Sequence, residues 1–176
     1  GALLSGREVR HRLPDDSDLA KPRDWRVSQD VPARLAVAVG GTPADNLERA
    51  LRAHGGIERF VKRGEKVAIK PNCAWDRTPE QGANTDPELI GALVRLCRAA
   101  GAASVVVADA TCHDPVRSFA RSGIAADART AGATVEHQSS GGLVRLDLGG
   151  GILGAWEVLR AIAEADRVIN VPLVKH

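Results

Sequence analysis

The chain has 176 residues, 44% of them hydrophobic and 26% charged, and its 24 basic and 22 acidic side chains leave a formal charge of +2. That is ordinary composition for one soluble domain, long enough to bury roughly 70% of the surface its unfolded form exposes with no disulfide or structural metal; collagen, coiled coil and wholesale disorder are excluded. The small net charge, with three Trp, two Phe and no Tyr on which bases could stack, argues against nucleic acid as a partner, and the longest apolar runs fall far short of the ~20 residues of a membrane span.

Residues 1–33 carry six basic and six acidic side chains and three prolines with no sustained period, as in an extended arm or capping segment, with Trp25 as its natural anchor. From residue 34 onward, short aliphatic runs alternate with amphipathic stretches, the pattern of βαβ units. Leu35 to Val39 is the expected first strand. Gly40-Gly41-Thr42-Pro43 then turns into a helix, with Thr42 as N-cap, Pro43 at the first helical position and Asp45 placed for a capping box; Gly55-Gly56 ends it. Val67-Ala68-Ile69 forms a buried strand that stops at Pro71, and a polar loop follows to Thr85. Thr85 or Asp86 caps the next helix, Pro87 starts it, and Leu89, Leu93, Leu96, Cys97 and Ala100 share one face before Gly101 stops it. Ser104 to Ala108 is the next strand. Helical stretches are expected near Val116 to Arg121 and Ala125 to Ala131, strands at Thr134 to His137 and Leu143 to Leu148, a helix over Trp156 to Ala165, and a last strand at Val168 to Val171. The fold class is therefore α/β, with a mainly parallel, Rossmann-like layered sheet and helices on both faces.

Two features lead us to expect a piece of a longer protein. There is no Met, and a core strand runs into functional-looking residues at the last position, His176. Gly1 to Gly6 resembles the small and apolar tail of an export signal but lacks a charged region in front, so cytoplasmic and exported locations both stay open.

In an open parallel sheet, ligands bind outside the carboxyl ends of the strands. Those ends collect most of the reactive side chains of the strand region: Gly41 and Thr42 after the first strand, Lys70, Asn72 and Cys73 after the second, Asp109, Thr111, Cys112 and His113 after the third, and Asn170, Lys175 and His176 after the last. Lys70 emerges directly from a buried strand, where a single cation suits an anionic group or a lowered pKa, although a lysine reaching for water has the same pattern. The bare N–H groups of Gly41 and Thr42 at a helix start suit a phosphate or carboxylate, and tight turns use glycine for the same steric reason. Asp109 can orient a hydroxyl, a metal or Lys70, or merely cap the following turn.

A literal G-x-G-x-x-G occurs at Gly149, Gly151 and Gly154. With 18 glycines such a match arises easily, the strand before it alternates as if half exposed, and the next strand ends in Asn170 where a ribose-holding acid belongs, so a hairpin or crossover turn is the better reading. Cys73, Cys97 and Cys112 form no C-x-x-C, which excludes an iron–sulfur motif encoded wholly in this chain. Cys97 lies on the apolar helix face. Cys73, Cys112 and His113 sit on loops expected to converge, where thiolates and imidazole can hold zinc or iron, but the spacing of a zinc ribbon is missing and two small loop residues are the plainer reading. His11, His54 and His137 form no constellation.

Val67-Ala68-Ile69-Lys70-Pro71-Asn72, Thr85-Asp86-Pro87-Glu88, Ala100-Gly101-Ala102 with Val105 to Asp109, Ser122-Gly123-Ile124 and Ala165 to His176 together resemble the domain of unknown function 362 family, in order and spacing, from about residue 35 to the end. The resemblance implies an α/β protein of uncertain activity, in a family where some members are joined to ferredoxin-type iron–sulfur modules and some carry twin-arginine export signals. In the family the lysine and histidine that match Lys175 and His176 lead into a threonine-, glycine- and lysine-rich stretch that this chain lacks. The cysteines are not part of the family pattern.

These readings combine into one expectation: an anion- or cofactor-binding α/β domain, part of a redox- or metal-linked enzyme. Gly41, Thr42, Asn72, Thr111, Asn170 and Lys175 would hold a small anionic ligand, while Lys70, Asp109 and His176 orient groups or exchange protons. The competing expectation is a non-catalytic ligand-binding module or a docking module for a ferredoxin-type partner. The sequence names no cofactor.

Overall fold

The computed structural model describes residues 19–26, 33–150, 152 and 154–175. Its centre is a four-stranded, wholly parallel sheet in the order β3-β2-β1-β6, built from β1 (Lys66–Pro71), β2 (Ser104–Asp109), β3 (Thr134–His137) and β6 (Arg167–Val171). β1 lies between β2 and β6 and is buried on both faces, which is why Val67-Ala68-Ile69 reads as a continuous apolar run without alternation. Ile69 pairs with Val107 on one side and Ile169 on the other, so the three strand ends reach the same level.

The helices follow from local chemistry. In α1 (Pro43–Ala53), the Thr42 side chain accepts from the Asp45 N–H and the Asp45 carboxylate accepts from the Thr42 N–H, a reciprocal capping box ahead of Pro43. In α2 (Pro87–Ala99), Asp86 rather than Thr85 is the cap, accepting from the N–H groups of Glu88 and Leu89. The face of α2 formed by Ile90, Leu93, Val94 and Cys97 packs on β1 and β2, with Val67, Ile69, Val105 and Val107 beneath it. Each such aliphatic side chain stabilises the fold by roughly 1.5–3 kcal/mol when fully buried. α3 (Pro115–Arg121) and α4 (Ile124–Thr130) complete that layer, contributing Phe119, Ile124, Ala125 and Ala128 to the same core. Gly123 makes the corner between them. Its φ of 76° favours glycine, and a Cβ there would stand 3.3 Å from the Pro87 ring.

The opposite face carries less. The single turn α5 (Arg160–Ala163) packs on β2, next to a two-stranded antiparallel ribbon of β4 (Leu143–Asp147) and β5 (Ala155–Leu159). Here the structure corrects the reading of Trp156 to Ala165 as one helix. Residues 155–159 pair with β4, Leu146 opposite Trp156 and Leu143 opposite Leu159, and only 160–163 are helical. The helical spacing of the apolar residues was outweighed by a hairpin partner close in sequence. Gly149, at φ 63°, and Gly154 thus lie between two paired strands, and among the described residues β5 rather than a helix follows Gly154.

The second correction concerns residues 35–39, which form no strand: Leu35, Val37 and Val39 are 89%, 77% and 77% exposed. A strand exists only with a neighbour, and both flanks of β1 are taken. Trp25 does act as an anchor, its indole N–H donating to the Ala165 carbonyl at 3.4 Å, while Arg23 donates to the same carbonyl and pairs with Asp166. Ala20 makes a parallel bridge to Leu146. Among the described residues, no helix is long and apolar enough to cross a membrane.

Candidate functional site

The carboxyl ends of β1, β2 and β6 meet at Lys70, Asp109 and Val171. The Lys70 ammonium lies 2.9 Å from Asp109 Oδ1 and also donates to the Pro71 carbonyl at 3.2 Å. Asp109 is 4% exposed and fully engaged: Oδ1 additionally accepts the Ala110 N–H at 3.0 Å, and Oδ2 accepts the Cys73 N–H at 2.8 Å. Asp109 thus contacts Lys70, accepts the N–H of the residue that follows it as a turn cap would, and ties the end of β2 to the chain leaving β1.

Across β1, Thr85 does the equivalent work toward β6. Its hydroxyl accepts the Asn72 N–H at 2.8 Å and donates to the Val171 carbonyl at 2.7 Å, while its own N–H donates to the Asn72 carbonyl at 2.9 Å. The Asn72 side-chain amide donates to the Ala83 carbonyl, and its Oδ1 accepts from Lys175 Nζ at 3.3 Å; Lys175 also donates to Ala83 O at 2.9 Å. Two lysines therefore converge on the Pro71-Asn72 turn from either side. Asp109 neutralises Lys70, whereas no carboxylate among the described residues pairs with Lys175. The turn keeps one positive charge, and all the backbone groups around it are pinned.

The family described as a domain of unknown function (DUF362) matches residues 67–176, more than half of the chain, from the start of β1 through this turn and past β6. The chain is a member of the DUF362 family. A thylakoid-associated protein of Synechocystis sp. is 34% identical over 61 residues, a stretch covering 35% of this chain and 19% of that protein, so the match spans about a fifth of the relative's length. No solved structure matches the chain.

Other residues singled out from the sequence lie elsewhere in this DUF362 domain. Gly41 and Thr42 do not join the lysines: Gly41 lines a shallow depression with Asp45, Glu48, Arg49 and Arg52, and the Thr42 N–H expected to receive an anion already donates to Asp45. The helix brings its own carboxylate. Thr111 faces β3, its N–H and carbonyl bonded to the Gln138 amide and its hydroxyl donating to His113 O at 2.6 Å. Asn170 is exposed on β6, in register with Lys70. His176 lies outside the described residues.

The loops of Cys73 and of Cys112 and His113 do converge, with the Cys112 and His113 N–H groups both donating to the Ala74 carbonyl, but the side chains of Cys73 and His113 turn to other partners. The Cys73 thiol is buried against Ser122 Oγ at 3.6 Å, and burial pushes its pKa up to about 11, so it is a packed thiol rather than a thiolate. Cys112 is exposed, and the His113 ring turns to the Asp76 N–H, accepting through Nδ1 at 3.3 Å. Among the described residues no three His, Cys, Asp or Glu side chains gather to hold a metal ion. The resemblance had already set the cysteines apart from the family pattern.

The sequence singles out neither Asn84 nor Asp76 from the polar loop, and it offers Thr85 only as a helix cap and as part of the family-like stretch. All three are buried, and Asn84 clamps Trp75 from both sides, accepting its N–H at 3.2 Å and donating to its carbonyl at 2.8 Å. The only signal was density: Trp75-Asp76-Arg77-Thr78-Pro79 packs an aromatic, an acid, a base and a helix start into one loop.

Proposed function

We propose that this DUF362 domain binds a small anionic ligand at the carboxyl edge of β1 and β6, with Lys70, Lys175 and the Pro71-Asn72 turn as the binding elements. The supporting observation is the pair of lysine ammoniums drawn to one turn, with Lys70 alone of the two paired to a carboxylate among the described residues. Anions are held best where the cations are already oriented, because little reorganisation is left to oppose binding. Within a redox- or metal-linked enzyme, Lys70 and His176 would be the groups that move protons, with Asp109 setting the direction of Lys70.

A second reading, a non-catalytic ligand-binding or ferredoxin-docking module, is favoured by the state of Asp109. Its oxygens are occupied by three donors, which suits architecture better than proton exchange. Calorimetric titration with small dicarboxylates tests the binding site. We expect a dissociation constant below about 1 mM, weakened at least about tenfold in Lys175→Gln. Equal binding by that variant overturns the proposal, and turnover of any bound acid that is lost in Lys70→Ala decides for the enzyme over the module.

A further inference from the structure

On the other side of β1, three guanidinium groups meet around one residue. Arg117 Nη2 lies 2.7 Å from Asp76 Oδ2, Arg121 Nη1 lies 3.7 Å from Asp76 Oδ1, and Arg77 Nη1 donates to the Asp76 carbonyl oxygen at 2.9 Å. One arginine would neutralise Asp76. Three leave two positive charges, and their side chains are open to solvent, with Arg117 69% and Arg121 52% exposed. Asp76 itself is buried, and its Oδ1 has no hydrogen-bond partner because Arg121 stops short of it. Arg121 is thus in ion-pair range of Asp76 without spending a hydrogen bond on it.

The platform beneath these arginines is stiff. The Asn84 side chain clamps Trp75, His113 receives the Asp76 N–H through Nδ1, and the Trp75 and His113 rings meet edge to face with centroids 5.0 Å apart. Cys112 and His113 both donate backbone N–H groups to the Ala74 carbonyl, which fixes the β2 loop against the β1 loop. Trp75, next in sequence to Asp76 and packed on His113, remains 38% exposed.

We infer that Arg77, Arg117 and Arg121 form a binding site for an oxodianion, a phosphate group, held above Asp76 and flanked by the Trp75 ring. Guanidinium forks match phosphate oxygens two at a time, and two uncompensated charges match a dianion. The site shares no residue with the Lys70 and Lys175 turn and does not depend on that reading. Its source is either free phosphate or a phosphorylated molecule whose body rests on Trp75.

The experiment is calorimetric titration of the protein with inorganic phosphate and with phenyl phosphate, with Trp75→Phe identifying any fluorescence change that accompanies binding. We expect binding below about 1 mM that weakens at least about tenfold in Arg121→Gln and in Arg77→Gln while thermal stability is kept. Lys175→Gln binds normally. Equal affinity for the two probes assigns free phosphate, and tighter phenyl phosphate assigns a phosphorylated ligand; both uphold the site. No binding of either probe up to about 10 mM, or binding unchanged in Arg121→Gln, overturns it. Binding lost in Lys175→Gln but retained in the arginine variants overturns it too, and leaves the lysine turn as the anion site.

Discussion

Asp109 and Asp76 are both buried carboxylates at the carboxyl edge of the same sheet, and they are treated in opposite ways. Asp109 has each oxygen bonded to a backbone N–H, with an ammonium added, and it joins two strands to the cation between them. Asp76 has one oxygen in a close ion pair with Arg117 and the other in a loose one with Arg121 and no hydrogen bond, under more positive charge than it needs. A carboxylate whose donors are mostly backbone belongs to the architecture, because those donors exist only in the folded chain. A carboxylate whose partners are long exposed side chains is cheaper to alter, since solvent screens each pair.

That difference can be broken in order of size. Asp109→Ala leaves the Cys73 and Ala110 N–H groups without their acceptor and Lys70 without its partner. Half-exposure of Lys70 moderates the loss, and we expect destabilisation on the order of 3 kcal/mol in urea unfolding. Asp76→Asn keeps the shape and removes the charge, so about 1 kcal/mol is expected by the same measurement, together with tighter rather than weaker phosphate binding. A cost as large as that of Asp109→Ala would erase the contrast between the two residues.

The smallest effect at neutral pH comes from the buried thiols. Burial pushes Cys73 and Cys97 each up to about 11, whereas unfolding restores them to an ordinary thiol value near 9. The unfolded chain therefore ionises first, and stability should hold below about pH 9 and decline as the pH rises toward 11. Unfolding midpoints across that range check this, with the decline reduced in Cys97→Ala. A thiol reagent at pH 8 should modify Cys112 quickly and the other two only after unfolding; fast reaction at Cys73 would remove it from the core that supports Asp109.

How much of this was legible depended on the range of the interaction that decides each element. Thr42, Asp45, Asp86 and Pro87 act on atoms within four residues, so α1 and α2 were readable with their caps. Val67 to Ile69 are buried on both faces and Val105, Val107 and Ala108 are buried beside them, with Val106 half-buried, and their apolar runs show it. The gathering of Lys70, Asn72, Asp109 and Lys175 at one edge followed from the parallel-sheet rule, which orders strand ends without needing contacts. Residues 35–39 and 155–165 misled because a strand is defined by its partner, which periodicity does not name.

The amino-acid sequence by itself determined the α/β class, the capped helices, the buried central strands and the family, because these rest on spacing and on short-range hydrogen bonding. Only the tertiary structure decided that Thr85 braces two strands, that Thr42 is closed by its own Asp45, that the Cys73 thiol is buried against Ser122, and that three arginines surround Asp76. Each of these depends on which donor reaches which acceptor across the sheet edge. That is set by how the loops fold over one another, and no local pattern encodes it.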